Sequence, residues 1–419
     1  MTSIQSLSLV PYRFMAPLAA VFIAVGCNAP APTPPAAAPP SAPLQQGGQN
    51  LYGPYQVVEN WLQPLPDGDD GVKHDGWTFG SQAAVFAETP DRIWIAQRGE
   101  LPLPKGNPPG TPWAQVTPNP GSATTPRLPV MRYHHVIFVV DRTGKMIQSW
   151  PQHDKLFDQP KAPLGPRGPH KIKMSPYDPE KHVWVVDDNL HQIFKFTYGG
   201  ELVMTLGQMG VEGRGPNTFA RPTDIAWLPD GTFFISDGYH GKRVAKFAPD
   251  GTFIKDWGVE PKDPKNPGPN EFNTVHSIAI SKDRRLFVAD RQHERMQVFD
   301  EEGKFLKMFS LREDHWPAAA HSLPYFHLIT DDQFLWVGDG GTQRILKYDL
   351  DGNFLFGWGQ PGGLPGRIWG PHQLTVDQEG NFFMAEVQNG RIQRFEPKPN
   401  ADPAQLIGQE FRFKAAASN

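Results

Sequence analysis

One pattern constrains this chain more than any other: a strand-like apolar run that closes on an acidic residue and returns at a nearly constant interval. It reads KHVWVVDD at Asp187 and Asp188, TFFISDG at Asp237, RLFVADR at Asp290, FLWVGDG at Asp339 and NFFMAEV at Glu386, with RIWIAQR at Gln97 as a more distant copy. From 187 the anchors fall at 237, 290, 339 and 386, steps of 50, 53, 49 and 47 residues. The clearest unit, residues 219–258, contains IAWL, TFFISD, RVAKF and TFIKDWG, separated by Pro-Asp-Gly, Gly-Tyr-His-Gly and Pro-Asp-Gly. Each run has strand length and each separator is turn chemistry, which predicts a four-stranded antiparallel meander. A lone meander exposes both faces, so such units must stack. A period near 50 with four strands per unit predicts an all-β chain folded as a β-propeller, and six copies predict six blades.

The ends of the chain read differently. Arg13 precedes the apolar segment FMAPLAAVFIAV, which stops at Gly26-Cys27 and is too short to span a bilayer as a mature helix. Residues 1–26 therefore read as a secretory signal, and Ala24-Val25-Gly26-Cys27 resembles a bacterial lipobox, in which Cys27 becomes the lipidated first residue. Cys27 is also the only cysteine, so no disulfide is expected despite export. Residues 27–50 are rich in Pro and Ala and are expected to form a semi-extended tether; residues 51–419 are expected to be the propeller. The expected location is the bacterial cell envelope, with membrane contact by the lipid anchor only and the propeller monomeric. A formal net charge of −4 without a basic cluster excludes a nucleic-acid partner.

Two segments compete to close the ring. Tyr55 to Trp61 resembles a fourth strand and could complete the last blade; QLIGQEFRF near the C-terminus could do the same. The first blade, from about Gly80 to Trp150, is interrupted after Arg98 by a long Pro/Gly-rich loop, which suits a rim or binding role.

Chemistry concentrates at the entry to each first strand. His170, Thr223, His276 and His372 occupy equivalent places, and the three histidines fall on alternate blades. Rotational symmetry would bring their side chains to the axis from three directions, as a three-nitrogen metal site with an open position. The second strand returns antiparallel to the first, so the residues just beyond it share the histidine face: Arg98, Asp188, Tyr239, Arg291, Gly340 and Val387. A phenol beside a dication and a guanidinium can serve as general base, and arginines can hold a carboxylate through paired hydrogen bonds. His327 and Tyr325 read as channel lining. Asp187, Asp237, Asp290 and Asp339 read as caps of loop amides, Trp257, Trp358 and Phe247 as packing between blades, and His240 and His293 as loop residues without a partner.

The set PHKI…VWVVDDNLHQIFKF, RPTDIAWLPDGTFFISDGY, VHSIAI…LFVADRQHERMQVF and PHQLTV…GRIQRF resembles the peptidyl-α-hydroxyglycine lyase (peptidylglycine α-amidating lyase) family within the NHL-repeat propellers. The resemblance runs from about Gly80 to Phe395 and includes Gln97 to Glu100, similar to the family's Arg-Gly-Asp segment. It implies a catalytic zinc on His170, His276 and His372, with Tyr239 as the base and Arg98 and Arg291 holding the tyrosine or substrate. The implied reaction cleaves the N–Cα bond of a C-terminal α-hydroxyglycine, giving an amide and glyoxylate; the implied partner is a small peptide or N-acyl-α-hydroxyglycine. It also implies a structural calcium, bound by an Asp directly after the third histidine and a carbonyl two residues after the first, where this chain has Gln373 and Ile172. Cysteines that the family pairs near the tyrosine and second arginine are absent. A non-catalytic NHL propeller binding protein or glycan on its rim, and a lactonase-like metal hydrolase, are the other classes the sequence allows.

Overall fold

The computed structural model describes residues 53–68, 71–108, 111–112, 132–159, 167–311 and 321–412. The signal, lipobox and tether lie outside them, as does most of the loop after Arg98. Six four-stranded antiparallel sheets form six blades. Their first strands are Gln82–Thr89, Lys171–Met174, Pro222–Trp227, Val275–Ile280, Pro324–Ile329 and Pro371–Val376, which neighbour one another in sequence order around the axis, the last beside the first.

Burial grades outward along each blade, which explains the composition of the strands. In the fourth blade Val275–Ile280 and Leu286–Asp290 are buried throughout, whereas the outer Phe305–Ser310 alternates between half-buried and exposed. Inner strands have neighbours on both faces and read as continuous apolar runs; the outermost strand is solvated on one side and alternates. Six apolar clusters, each spanning two adjacent blades, form the core. The hairpin glycines belong to this packing: Gly303 has φ +79°, and a Cβ there would stand 2.5 Å from the Trp257 ring of the preceding blade.

Ring closure uses the N-terminal segment. Tyr55–Val58 pairs antiparallel with Arg391–Pro397 in the register Tyr55 to Pro397 and Val58 to Arg394, completing the sixth blade. The pairing joins the two ends of the described chain and covers what would otherwise be an open sheet edge. The competing C-terminal segment instead runs beside the fifth blade, where Phe411 N donates to Ile329 O. An unforeseen two-stranded ribbon, Trp77–Phe79 with Glu100–Pro102, stands at the start of the long loop. No helix among the described residues is long and apolar enough to cross a membrane.

The acidic anchors cap loop amides as expected, and three of them also hold an arginine. Asp237, Asp290 and Glu386 accept from Arg243, Arg295 and Arg391. Each guanidinium also donates to loop carbonyls, Arg243 to those of Arg214 and Thr218. Buried charges are tolerated here because they are paired and hydrogen-bonded.

Candidate active site

The position occupied by the histidines is a β-bulge. In five blades the pairing of the first and second strands skips one residue near the strand start, and the skipped residues are Ala83, Thr223, His276, Tyr325 and His372. His170 immediately precedes the corresponding strand of the second blade. A bulge residue is released from the ladder, which re-aims its side chain and frees its carbonyl.

Both consequences are used in alternation around the ring. Nδ1 of His170 donates to the carbonyl of Thr223 at 2.7 Å, that of His276 to Tyr325 at 2.5 Å and that of His372 to Ala83 at 2.9 Å. Each histidine on an even blade is thus gripped by the bulge carbonyl of the following odd blade. Donation through Nδ1 fixes the tautomer and leaves the Nε2 lone pair for a ligand. Ligand atoms of the three rings lie within 4.8 Å of one another, with ring centroids 4.4 to 5.3 Å apart. Burial, reinforced by neighbouring histidines and by Arg291 near His276, holds all three well below the usual imidazole range, so they are neutral. Three neutral, oriented imidazoles with a side left open fit a zinc-type dication.

Tyr239 borders that open side. Its hydroxyl lies 3.0 Å from Nε2 of His276 and 3.2 Å from Nε2 of His170. Guanidinium carbons of Arg221, Arg291 and Arg167 stand 4.1, 5.1 and 6.0 Å from its ring centroid. Arg291 also lies 4.9 Å from the Tyr325 ring. No carboxylate of the described residues pairs with Arg291, and its Nε is buried without a hydrogen bond.

Arg98 is more deeply buried than Arg291. It is almost wholly buried, donates through Nε to Pro169 O at 2.8 Å and lies 3.5 Å from Asp188, so it grips the residue before His170. Burial, aided by Arg167, pushes it down to about 10, which leaves it charged at neutral pH. Asp188 also meets Arg221 at 2.5 Å and Arg167 at 3.5 Å. Burial would raise its carboxyl, but Arg167, Arg221 and Arg98 outweigh it and hold Asp188 at about 2. Asp187 moves the other way, up to about 7, through burial and then the charge of Asp188. Three guanidiniums therefore share one firmly ionised carboxylate while Arg291 stands apart from it, and the surplus positive charge suits an anionic ligand.

Sequence reasoning placed the three histidines, Tyr239, Arg98 and Arg291 on one face, and the structure brings them together. It missed Asp188 as the hub of three arginines, and it missed Arg167 and Arg221. A signal existed: Asp188 is a second acid where the other repeats have Gly, Arg or Val, and Arg221 immediately precedes the Pro that opens its strand. His327 is buried against Ser277 Oγ and Phe287 O, and Tyr325 contributes its carbonyl to His276. His240 and His293 do have partners: Glu212 at 3.0 Å and Asp290 at 2.7 Å.

Calcium does not fit the position the resemblance implies. Lys171 is fully buried and its Nζ donates to His372 O at 2.6 Å, while Gln373 Nε2 donates to Ile172 O at 2.8 Å. The ion wants six to eight oxygens with carboxylates among them. Here an amide takes one carbonyl and the Lys171 amino group takes another. Burial pushes Lys171 down to about 7.

No protein-family model matches the chain. It is 38% identical over 238 residues to peptidyl-glycine alpha-amidating monooxygenase A of Xenopus laevis, covering 55% of this chain and 24% of that protein. It is 28% identical over 276 residues to peptidyl-alpha-hydroxyglycine alpha-amidating lyase 1 of Drosophila melanogaster, covering 60% and 48%. It is 31% identical over 251 residues to human NHL repeat-containing protein 3, covering 55% and 67%. The chain spans about a quarter of the length of the Xenopus amidating monooxygenases it matches.

Proposed function

Because the chain belongs to the NHL-repeat β-propeller family, we propose that it is a metal-dependent carbon–nitrogen lyase acting on a peptide or N-acyl compound that ends in α-hydroxyglycine. The observation that carries this reading is the Tyr239 hydroxyl 3.0 Å from His276 Nε2 and 3.2 Å from His170 Nε2, inside a surplus of guanidiniums. The relatives whose names include hydroxyglycine amidating lyase support the same reaction class.

His170, His276 and His372 hold the ion, and zinc is the metal proposed. When bound, it supplies Lewis-acid polarisation of a substrate oxygen. Arg291, the guanidinium without a carboxylate, takes the substrate carboxylate. Tyr239 acts as the base, its phenolic oxygen accepting the carbinol proton; the released O–H electrons form the carbonyl of glyoxylate, and the C–N pair leaves on nitrogen. The same phenol returns the proton to that nitrogen, so an amide and glyoxylate form without consuming water. Arg98 positions rather than reacts: it ties Pro169, and with it His170, to Asp188. Calcium forms no part of this reading. Export and lipid anchoring through Cys27, with a monomeric propeller in the bacterial envelope, complete it.

The test is glyoxylate release from an N-acyl-α-hydroxyglycine by the zinc-loaded protein. Lactone hydrolysis without glyoxylate release would replace the lyase by a hydrolase. Neither activity, together with failure to retain zinc, would leave a propeller that binds partners on its rim.

A further inference from the structure

A second convergence of imidazoles lies away from the axis: His74, His134 and His135, whose ligand atoms are all within 4.8 Å of one another. We propose that these three residues form a second metal site, taking one first-row transition dication of the zinc type independently of the axial histidines.

The proton positions follow from the acidic partner. Nδ1 of the buried His74 lies 2.8 Å from Glu100 Oε1 and 3.1 Å from Arg132 Nη2; the nearer carboxylate only accepts, and with the hydrogen on Nδ1 toward it the neutral form of the ring presents Nε2 as a lone pair. That Nε2 is 3.0 Å from His134 Nδ1. His135 Nδ1 lies 2.8 Å from Ser149 Oγ, and its ring centroid is 4.1 Å from that of His134. Nitrogens bound tetrahedrally at about 2.0–2.1 Å stand roughly 3.3 Å apart, close to the spacing of His74 and His134. A carboxylate behind a ligating histidine is the usual orienting device at metal sites.

The frame is built rather than incidental. Buried Gln97 donates to the carbonyls of both His134 and His135, at 2.8 and 3.1 Å. Asp154 accepts from His135 N at 2.9 Å and Val136 N at 2.8 Å. Two consecutive histidines are thus clamped from two sides, with His135 held at φ +51°. Arg132 donates to Glu100 Oε2 at 2.9 Å and lies across the Trp77 ring at 3.9 Å. Since Arg132 neutralises Glu100, the charge balance of an added dication falls on the imidazoles and on solvent. An all-imidazole first set favours zinc, cobalt, nickel or copper over calcium or magnesium, which prefer oxygen. The ion would join the segment before Trp77 to the segment that leads into the strand Ile137–Val140, a fastening role.

The test is zinc stoichiometry by elemental analysis, after saturation and removal of free metal, on the full chain and two variants with folding checked by circular dichroism. The expected result is two zinc ions per wild-type chain, one in His134→Ala and one in His276→Ala. If His134→Ala does not fold, His74→Gln, which keeps a donor toward Glu100, carries the same expectation. A wild-type chain whose single zinc is lost in His276→Ala and kept in His134→Ala, or a His134→Ala or His74→Gln chain that holds as much zinc as the wild type, overturns the proposal. Loss of the axial ion in His276→Ala reads the axial site separately, so failure of one site is not failure of the other.

Discussion

The hydroxyl of Tyr239 and Nε2 of His276 stand 3.0 Å apart, which puts the base of the proposed reaction within hydrogen-bond reach of a proposed metal ligand. Deleting the hydroxyl removes proton transfer without touching an imidazole. Tyr239→Phe is expected to lower kcat by about 10²–10⁴-fold while zinc content stays at the wild-type level. Steady-state glyoxylate release with elemental analysis checks it; full turnover would remove Tyr239 from the mechanism.

Arg291 has no carboxylate partner in the described structure, so its charge is available to a ligand. Arg291→Ala should lower kcat/KM by about 10–100-fold for an α-hydroxyglycine substrate, the worth of a charge-assisted hydrogen bond. A substrate whose carboxylate is converted to an amide should be affected far less. Equal losses on both substrates would mean that Arg291 does not read the carboxylate.

Asp188 anchors Arg98, Arg167 and Arg221 and is held at about 2, below the ordinary aspartate value near 3.9. The unfolded chain therefore binds a proton more readily than the native one between those values. Stability from Asp188 is fully present above pH 4 and is lost as the pH falls toward 2, about 2–3 kcal/mol in all. Asp188→Asn should cost about 3–5 kcal/mol at neutral pH by leaving three guanidiniums without their anion, and should flatten the acid limb. Urea unfolding between pH 2 and 7 measures both; an unchanged acid limb would show that Asp188 does not govern it.

Gln373 stands where the resemblance implies the calcium-binding Asp, and its amide already occupies the Ile172 carbonyl. Adding calcium, or a chelator selective for it, should leave the melting temperature unchanged, whereas stripping zinc should lower it. A calcium-dependent rise of several degrees would place that ion elsewhere in the fold.

Cys27 lies outside the described residues, and its role rests on the lipobox-like sequence. Cys27→Ser should release the protein from the membrane fraction of a bacterial host, and mass spectrometry of the wild type should find a lipid on residue 27. A wild-type chain that is already free of membrane would refute the anchor.

Much of the site was legible because repetition turns position into geometry. Once His170, His276 and His372 aligned with one another, the symmetry of the ring required them to converge. Tyr239 and Arg291 followed from strand direction alone. What failed was pairing across the repeats: His240 with Glu212 and His293 with Asp290 are single contacts that no repeat reports. The cluster of His74, His134 and His135 was equally hidden, since His74 precedes the first blade and the other two follow a long insertion.

From sequence alone came the number of blades, the face on which the chemistry gathers and the three axial histidines, because a fixed interval and alternating strand direction are local properties that add up. Tertiary structure decided which terminus closes the ring and which carbonyl grips each imidazole. It also decided that Lys171 donates to the carbonyl of His372 and that Asp188 serves three arginines at once. Those depend on hydrogen bonds and charges between residues far apart in the chain, whose energies take effect only when folding removes water and fixes their distances.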